Sequence, residues 1–223
     1  GGVREVLAAE LLEALGVQTS KCLSLFETDE ELIRGDEPSP TRASVLVRLS
    51  HSHVRFGTFQ RLHYERDALR LSKLLDYCTT YLLPELADVG ADERPLAFLR
   101  EVTRRSADLC ASWMVAGFVH GVLNSDNMVV TGESFDYGPY RFLPRYDPGF
   151  VAAYFDHTGL YAFSRQPRAV HTNLERLASS LEALAPLPDR RAAIGGFMQE
   201  LLRARAARLL ERLGLGPLVR HEQ

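Results

Sequence analysis

The stretch from about Pro95 through Met114 limits more than any other how this chain can fold. Phe98, Leu99, Val102, Leu109, Trp113 and Met114 recur at helical spacing, and toward the end of the run apolar side chains fall on most sides. Such a helix has to be buried, so other elements must close around it. It also delivers the chain to His120-Gly121-Val122-Leu123-Asn124-Ser125-Asp126-Asn127, a polar loop holding one acid and two amides. A β-branched run through Val129-Val130 follows, expected as a short hairpin around 128–135, and then Asp136-Tyr137-Gly138.

The rest of the chain supplies what surrounds this helix. Val3, Val6, Leu7, Leu11, Ala14 and Leu15 form an amphipathic stripe that Gly16 ends. Residues 20–27 and 43–49 alternate as strands, joined through the turn-rich Arg34-Gly35-Asp36-Glu37-Pro38-Ser39-Pro40. On the second strand Val45, Val47 and Leu49 share one face, expected to be the core face, which puts Arg48 on the other. One helical pattern runs over about 60–83 as far as Pro84, and two more over about 168–185 and 188–213. Residues 137–167, rich in Gly, Pro and aromatics, are too long for an ordinary connection and read as a functional or well-packed loop. These elements predict an α+β protein in which a small strand-containing lobe joins a larger, mainly helical one.

Composition excludes several function classes. With 223 residues, 46% apolar and 25% charged, the chain can bury a core, and its formal charge of -3 argues for neither nucleic acid nor a membrane surface as partner. No run reaches the roughly 18 apolar residues of a membrane span. Cys22, Cys78 and Cys110 are far apart with no metal-ligand spacing, which points to a reducing, cytoplasmic setting. Only Lys21 and Lys73 are lysines, so a phosphate-holding lysine has two candidates.

Helix, His-Gly, a polar loop ending in Asn, and then Asp-Tyr-Gly is the order of the catalytic loop and metal motif of protein kinases. There the base stands two residues after the histidine and a metal-binding amide seven after it. Asn127 holds the seventh position, but the second is Val122, which cannot accept a proton. Asn127 and Asp136 offer hard oxygen ligands suited, with phosphate oxygens, to Mg²⁺ or Mn²⁺. Asp126 is the carboxylate in the loop left to act as a base, and Asn124 stands where a kinase keeps a lysine. Taken singly, Asn127 and Asp136 could equally be turn residues.

That departure, together with the runs around Asp136-Tyr137-Gly138-Pro139-Tyr140, Tyr146-Asp147-Pro148-Gly149-Phe150, Asp156-His157-Thr158-Gly159-Leu160-Tyr161, Gln166-Pro167 and Asn173-Leu174-Glu175-Arg176, resembles the selenoprotein O family. Arg4-Glu5, Arg48 and Ser52-His53-Val54-Arg55-Phe56-Gly57 extend the likeness upstream. The resemblance implies a protein-kinase-like fold, with residues 1–59 as a partial N-lobe and 60–223 as a helical C-lobe. It implies transfer of AMP from ATP, with Mg²⁺ or Mn²⁺, to Ser, Thr or Tyr hydroxyls of protein substrates, and neither nucleic acid nor membrane as partner. It makes Asp126 the base, Asn127 and Asp136 the metal ligands, Arg48 and Arg55 the phosphate-holding residues, and Glu5 the partner of a nucleotide-contacting lysine. That lysine and a Gly-rich loop lie upstream of the first helix in the family, so this chain is expected to be a piece of a longer protein or a degenerate relative. The rival functions are transfer of the γ-phosphate and a non-catalytic pseudokinase that binds nucleotide or protein.

Overall fold

In the computed structural model, residues 1–33 and 39–215 are described, so most of the turn expected over 34–40, residues 34–38, lies outside them. Among the described residues seven α-helices and four strands make an α+β protein. The chain runs α1 (Gly2–Ala14), β1 (Lys21–Leu32), β2 (Thr41–Leu49), α2 (Phe56–Tyr64), α3 (Ala68–Tyr77) and α4 (Arg94–Ala116). It continues through β3 (Phe118–Val119), β4 (Arg141–Phe142), α5 (Gln166–Ser180), α6 (Leu187–Ile194) and α7 (Phe197–Arg212). Among the described residues no helix is long and apolar enough to cross a membrane.

The central helix is α4. Pro95 sits in its first turn, where a missing N–H costs nothing, and Gly117 ends it at φ 66° in the left-handed region. Phe98, Leu99, Val102 and Trp113 are fully buried, and α5, α6 and α7 pack against the helix. The main hydrophobic cluster is continuous from Ala8 and Leu12 of α1 through Phe56, Phe59 and Trp113 to Val170, Leu177 and Phe197.

The strands pair antiparallel, Cys22 with Arg48, Leu25 with Leu46 and Phe26 with Val45, with an irregularity at Leu23. The expected core face is the wrong one: Val45, Val47 and Leu49 are 54, 42 and 56% exposed, whereas α1 covers the face that carries Arg48, Leu46 and Leu25. A Cβ on Gly2 would meet the Leu25 side chain and Ser44 Oγ, which shows how closely helix and sheet approach. Alternation decides which residues share a face but not which face is covered. The same correction holds for α1, where Val3, Leu7 and Leu11 are exposed and Ala8, Ala9 and Leu12 are buried. Small side chains are what a close helix contact admits.

Three further boundaries differ from expectation. The 60–83 pattern divides into α2 and α3 because Arg66 takes a left-handed φ of 56° and Asp67 caps the new helix, accepting the Arg70 N–H at 2.9 Å. The 188–213 pattern divides at Gly195-Gly196, where two residues without Cβ weaken the helix. The hairpin expected around 128–135 is absent. Val129 instead bridges Arg55, Ser134 bridges Thr19, and β3 pairs with β4. This segment finds its partners far along the chain, which local alternation does not reveal.

Candidate active site

The polar loop is built from its backbone outward. After Gly117 stops α4, His120 is held at full burial between α4, α5 and the segment before Asp136. Its N–H donates to Gln166 Oε1 at 3.0 Å, and its Nε2 bonds the Phe135 carbonyl at 3.2 Å. Burial pushes the His120 pKa down to about 4, against the smaller pull of the Phe135 carbonyl and Asp136. It is therefore a neutral structural ring at ordinary pH. Gln166 also donates to the Phe118 carbonyl at 2.9 Å, and Asn173 to the Leu123 carbonyl at 2.8 Å, so α5 fastens the loop at both ends.

Within the loop, Asn124 Oδ1 accepts the N–H groups of Asp126 and Asn127 at 2.9 and 3.1 Å and closes a single 3₁₀ turn over Ser125–Asn127. That capping fixes where the next two side chains point. Asn127 is buried, and its Nδ2 donates to the Val122 carbonyl at 2.8 Å, which leaves Oδ1 as the atom able to meet a ligand. Asp126 is exposed. Its carboxylate lies against Gly57 in the first turn of α2, where a Cβ would overlap Asp126 Oδ1. The helix N-terminus favours a negative charge there.

Asp136 adopts φ 63°, a left-handed conformation that costs a non-glycine residue about 1 kcal/mol or more. The neighbouring Phe135 is buried, with the guanidinium carbons of Arg48 and Arg55 5.8 and 5.2 Å from its ring centroid and the His53 ring edge-on at 5.9 Å. Arg48 is also paired with Glu5 at 2.7 Å, their side chains only 18 and 14% exposed. Burial pushes the Glu5 carboxyl above its usual range, opposed by the Tyr137 N–H and Arg48 and reinforced by Asp136. Glu5 thus meets an arginine, while Lys21 pairs with Glu13.

The structure therefore gathers Glu5, Arg48, Arg55 and Asp136 around Phe135. It links that group to the Asp126–Asn127 turn through His120 and through the Arg55–Val129 bridge. Two oxygen donors, Asn127 Oδ1 and the Asp136 carboxylate, suit a hard ion whose other ligands are phosphate oxygens and water. Among the described residues no group of three or more His, Cys, Asp or Glu could hold a metal by itself. Sequence reasoning missed the parts played by Asn124, Gly57 and Phe135. An Asn opening a short turn is a capping signal, whereas nothing local marks Gly57 or Phe135.

A model of the family described as "Protein adenylyltransferase SelO" matches residues 1–223. The chain is 52% identical over 216 residues to a "Protein nucleotidyltransferase YdiU" of Synechocystis sp., covering 96% of this chain and 45% of the relative. It is 53% identical over 219 residues to a protein of the same description from Gloeobacter violaceus, covering 98% and 45%. A relative from Klebsiella pneumoniae, also so described, is 37% identical over 213 residues, covering 96% and 43%. The chain thus spans less than half the length of the curated relatives it matches.

Proposed function

Since the chain belongs to the family of protein adenylyltransferase SelO, we propose that the protein carrying it transfers AMP from ATP to Ser, Thr or Tyr hydroxyls of other proteins on a protein-kinase-like scaffold. One observation carries the reading. The residue two after His120 is Val122, whereas Asp126, beside Asn127, presents an exposed carboxylate held at the start of α2.

In this reading residues 1–59 belong to a smaller lobe and 60–223 to a helical one, with the reacting groups between them. Asp126 takes the proton of the acceptor hydroxyl as its oxygen attacks the α-phosphorus of ATP. The new bond is O–Pα, the bond broken joins Pα to the oxygen bridging to the β-phosphate, and pyrophosphate leaves with the electron pair. Arg48 and Arg55 face the phosphates. Arg48 spends only part of its five-donor fork on Glu5, and both cations neutralise charge that grows on the leaving group. A bound Mg²⁺ or Mn²⁺, held by Asn127 and Asp136, would supply further charge neutralisation at the phosphates.

The test supplies the full-length protein and an acceptor with ATP labelled at the α- or the γ-phosphate. Label from the α-phosphate on the acceptor is expected, and its loss in Asp136→Ala. Label only from the γ-phosphate would establish a kinase, and no label a non-catalytic binding module. Full activity of Asp136→Ala would overturn the metal assignment.

A further inference from the structure

A cavity of about 320 Å³, lined by neither Arg48 nor Arg55, opens along the first turns of α5. Arg165, Arg168 and Arg176 line it with Tyr161, Thr172 and Leu123, and no acidic residue does. One of its walls is the active-site loop, since Leu123 lies three residues before Asp126 and its carbonyl is held by Asn173 of α5.

The three arginines are not equivalent. Arg165 Nη1 donates to the Thr158 and Gly159 carbonyls at 2.8 and 3.1 Å and so organises the preceding loop. Arg176 Nη1 reaches Asn173 Oδ1 at 3.4 Å. Arg168 has no hydrogen-bond or ion-pair partner among the described residues. In the preceding loop the two Asp156 oxygens accept the N–H groups of Leu160 and Tyr161, each at 2.8 Å, and Asp156 forms no ion pair with Arg168. Glu175 lies beside His171 at 3.8 Å. The positive end of α5, a 15-residue helix, adds to the same potential.

We propose that this cavity receives a carboxylate side chain, Asp or Glu, of the acceptor protein, a short distance along its chain from the hydroxyl to be modified. The inference rests on the protein-modifying reading above. A planar guanidinium with all its donors unspent fits a carboxylate edge to edge, and the charges of Arg165 and Arg176 beside it favour an anion. Tyr161 and Thr172 add hydroxyls to the same walls, and exposed Leu160 offers apolar surface for the stem of the acidic side chain. The site's place beside the Asp126 loop aligns it with the acceptor. The nucleotide phosphates are assigned to Arg48 and Arg55, on other elements.

The test uses the full-length protein and serine peptides in which one Asp is moved position by position on either side of the serine, each paired with its Asn counterpart. Binding is read by fluorescence anisotropy, and transfer by α-labelled ATP. At one spacing the Asp peptide should bind about fivefold more tightly than its Asn twin. Arg168→Gln should abolish that difference, Arg168→Lys should keep only part of it because the charge stays and the fork is lost, and Arg168→Glu should shift the preference to a Lys-bearing peptide. Arg168 is exposed and without a partner, so these variants are expected to fold. Equal binding of Asp and Asn peptides at every spacing, or a preference that survives Arg168→Gln, overturns the proposal. If α-label reaches both peptides equally, the cavity assignment fails while AMP transfer stands. If an Arg168-dependent preference appears in binding but no peptide is labelled, the transfer reading fails while the cavity assignment stands.

Discussion

Gly57 shows how much the site depends on single atoms. Its missing Cβ is the space that the Asp126 carboxylate fills, and the glycine has no positive φ that would explain it otherwise. Gly57→Ala should displace the end of a flexible side chain while gaining helix propensity, so stability should change by no more than about 1 kcal/mol. A displacement of about 1 Å at a reacting group can cost about a hundredfold in rate. The expected result is therefore normal unfolding in urea with transfer reduced at least tenfold, and an unimpaired Gly57→Ala protein would remove Asp126 from the base role. Asn124 belongs to the same scale, because its two hydrogen bonds determine that Asp126 faces outward while Asn127 turns inward. Both residues stand in the sequence, but only the amide announces its part, as a capping residue before a short turn. The glycine is intelligible only once α2 is seen beside the loop.

At the scale of elements, local chemistry decides more than hydrophobic spacing alone conveys. The α2–α3 division comes from Arg66 in a left-handed conformation and from the Asp67 cap, although the leucine spacing runs on through it. Asp67→Ala should lower stability by about 1 kcal/mol in urea denaturation, and Asp67→Asn should restore most of it, since Asn caps almost as well. Equal stability of Asp67→Ala and the parent would mean that packing of α2 on α3, not the cap, maintains the break. Central helix α4 was legible from about Pro95 onward, because a run buried on most sides toward its end leaves an apolar signature that needs no knowledge of the neighbours. The segment after Asn127 was not legible in this way. Its β-branched residues were read as a hairpin, but they pair with Arg55 and Thr19, which are distant in sequence.

At the scale of the molecule, His120 ties α4, α5 and the Asp136 segment into one body and keeps its ring neutral to do so. Its pKa of about 4 lies below the ordinary value of 6.5, so between these pH values the unfolded chain binds a proton that the native state does not. Stability should therefore fall as pH drops from 6.5 toward 4, by about 3 kcal/mol at the lower end. Glu133 adds a loss only further down. Burial raises its carboxyl, but hydrogen bonds from His51, Ser50 and Thr131 outweigh that and hold it below 4.5. Urea titrations across this range should show the slope in the parent and not in His120→Gln, and a flat parent profile would mean that the ring is not held neutral. From its sequence alone the chain determined its helical content and its buried central helix, because periodicity is a local property, while Asp126, Asn127, Asp136, Arg48, Arg55 and Glu5 were singled out by motif order and family resemblance. Tertiary structure alone decided which faces of α1 and β2 are covered, that Glu5 meets Arg48, and that two arginines flank Phe135. Each of these depends on which distant surface arrives to displace water, and no local pattern encodes that arrival.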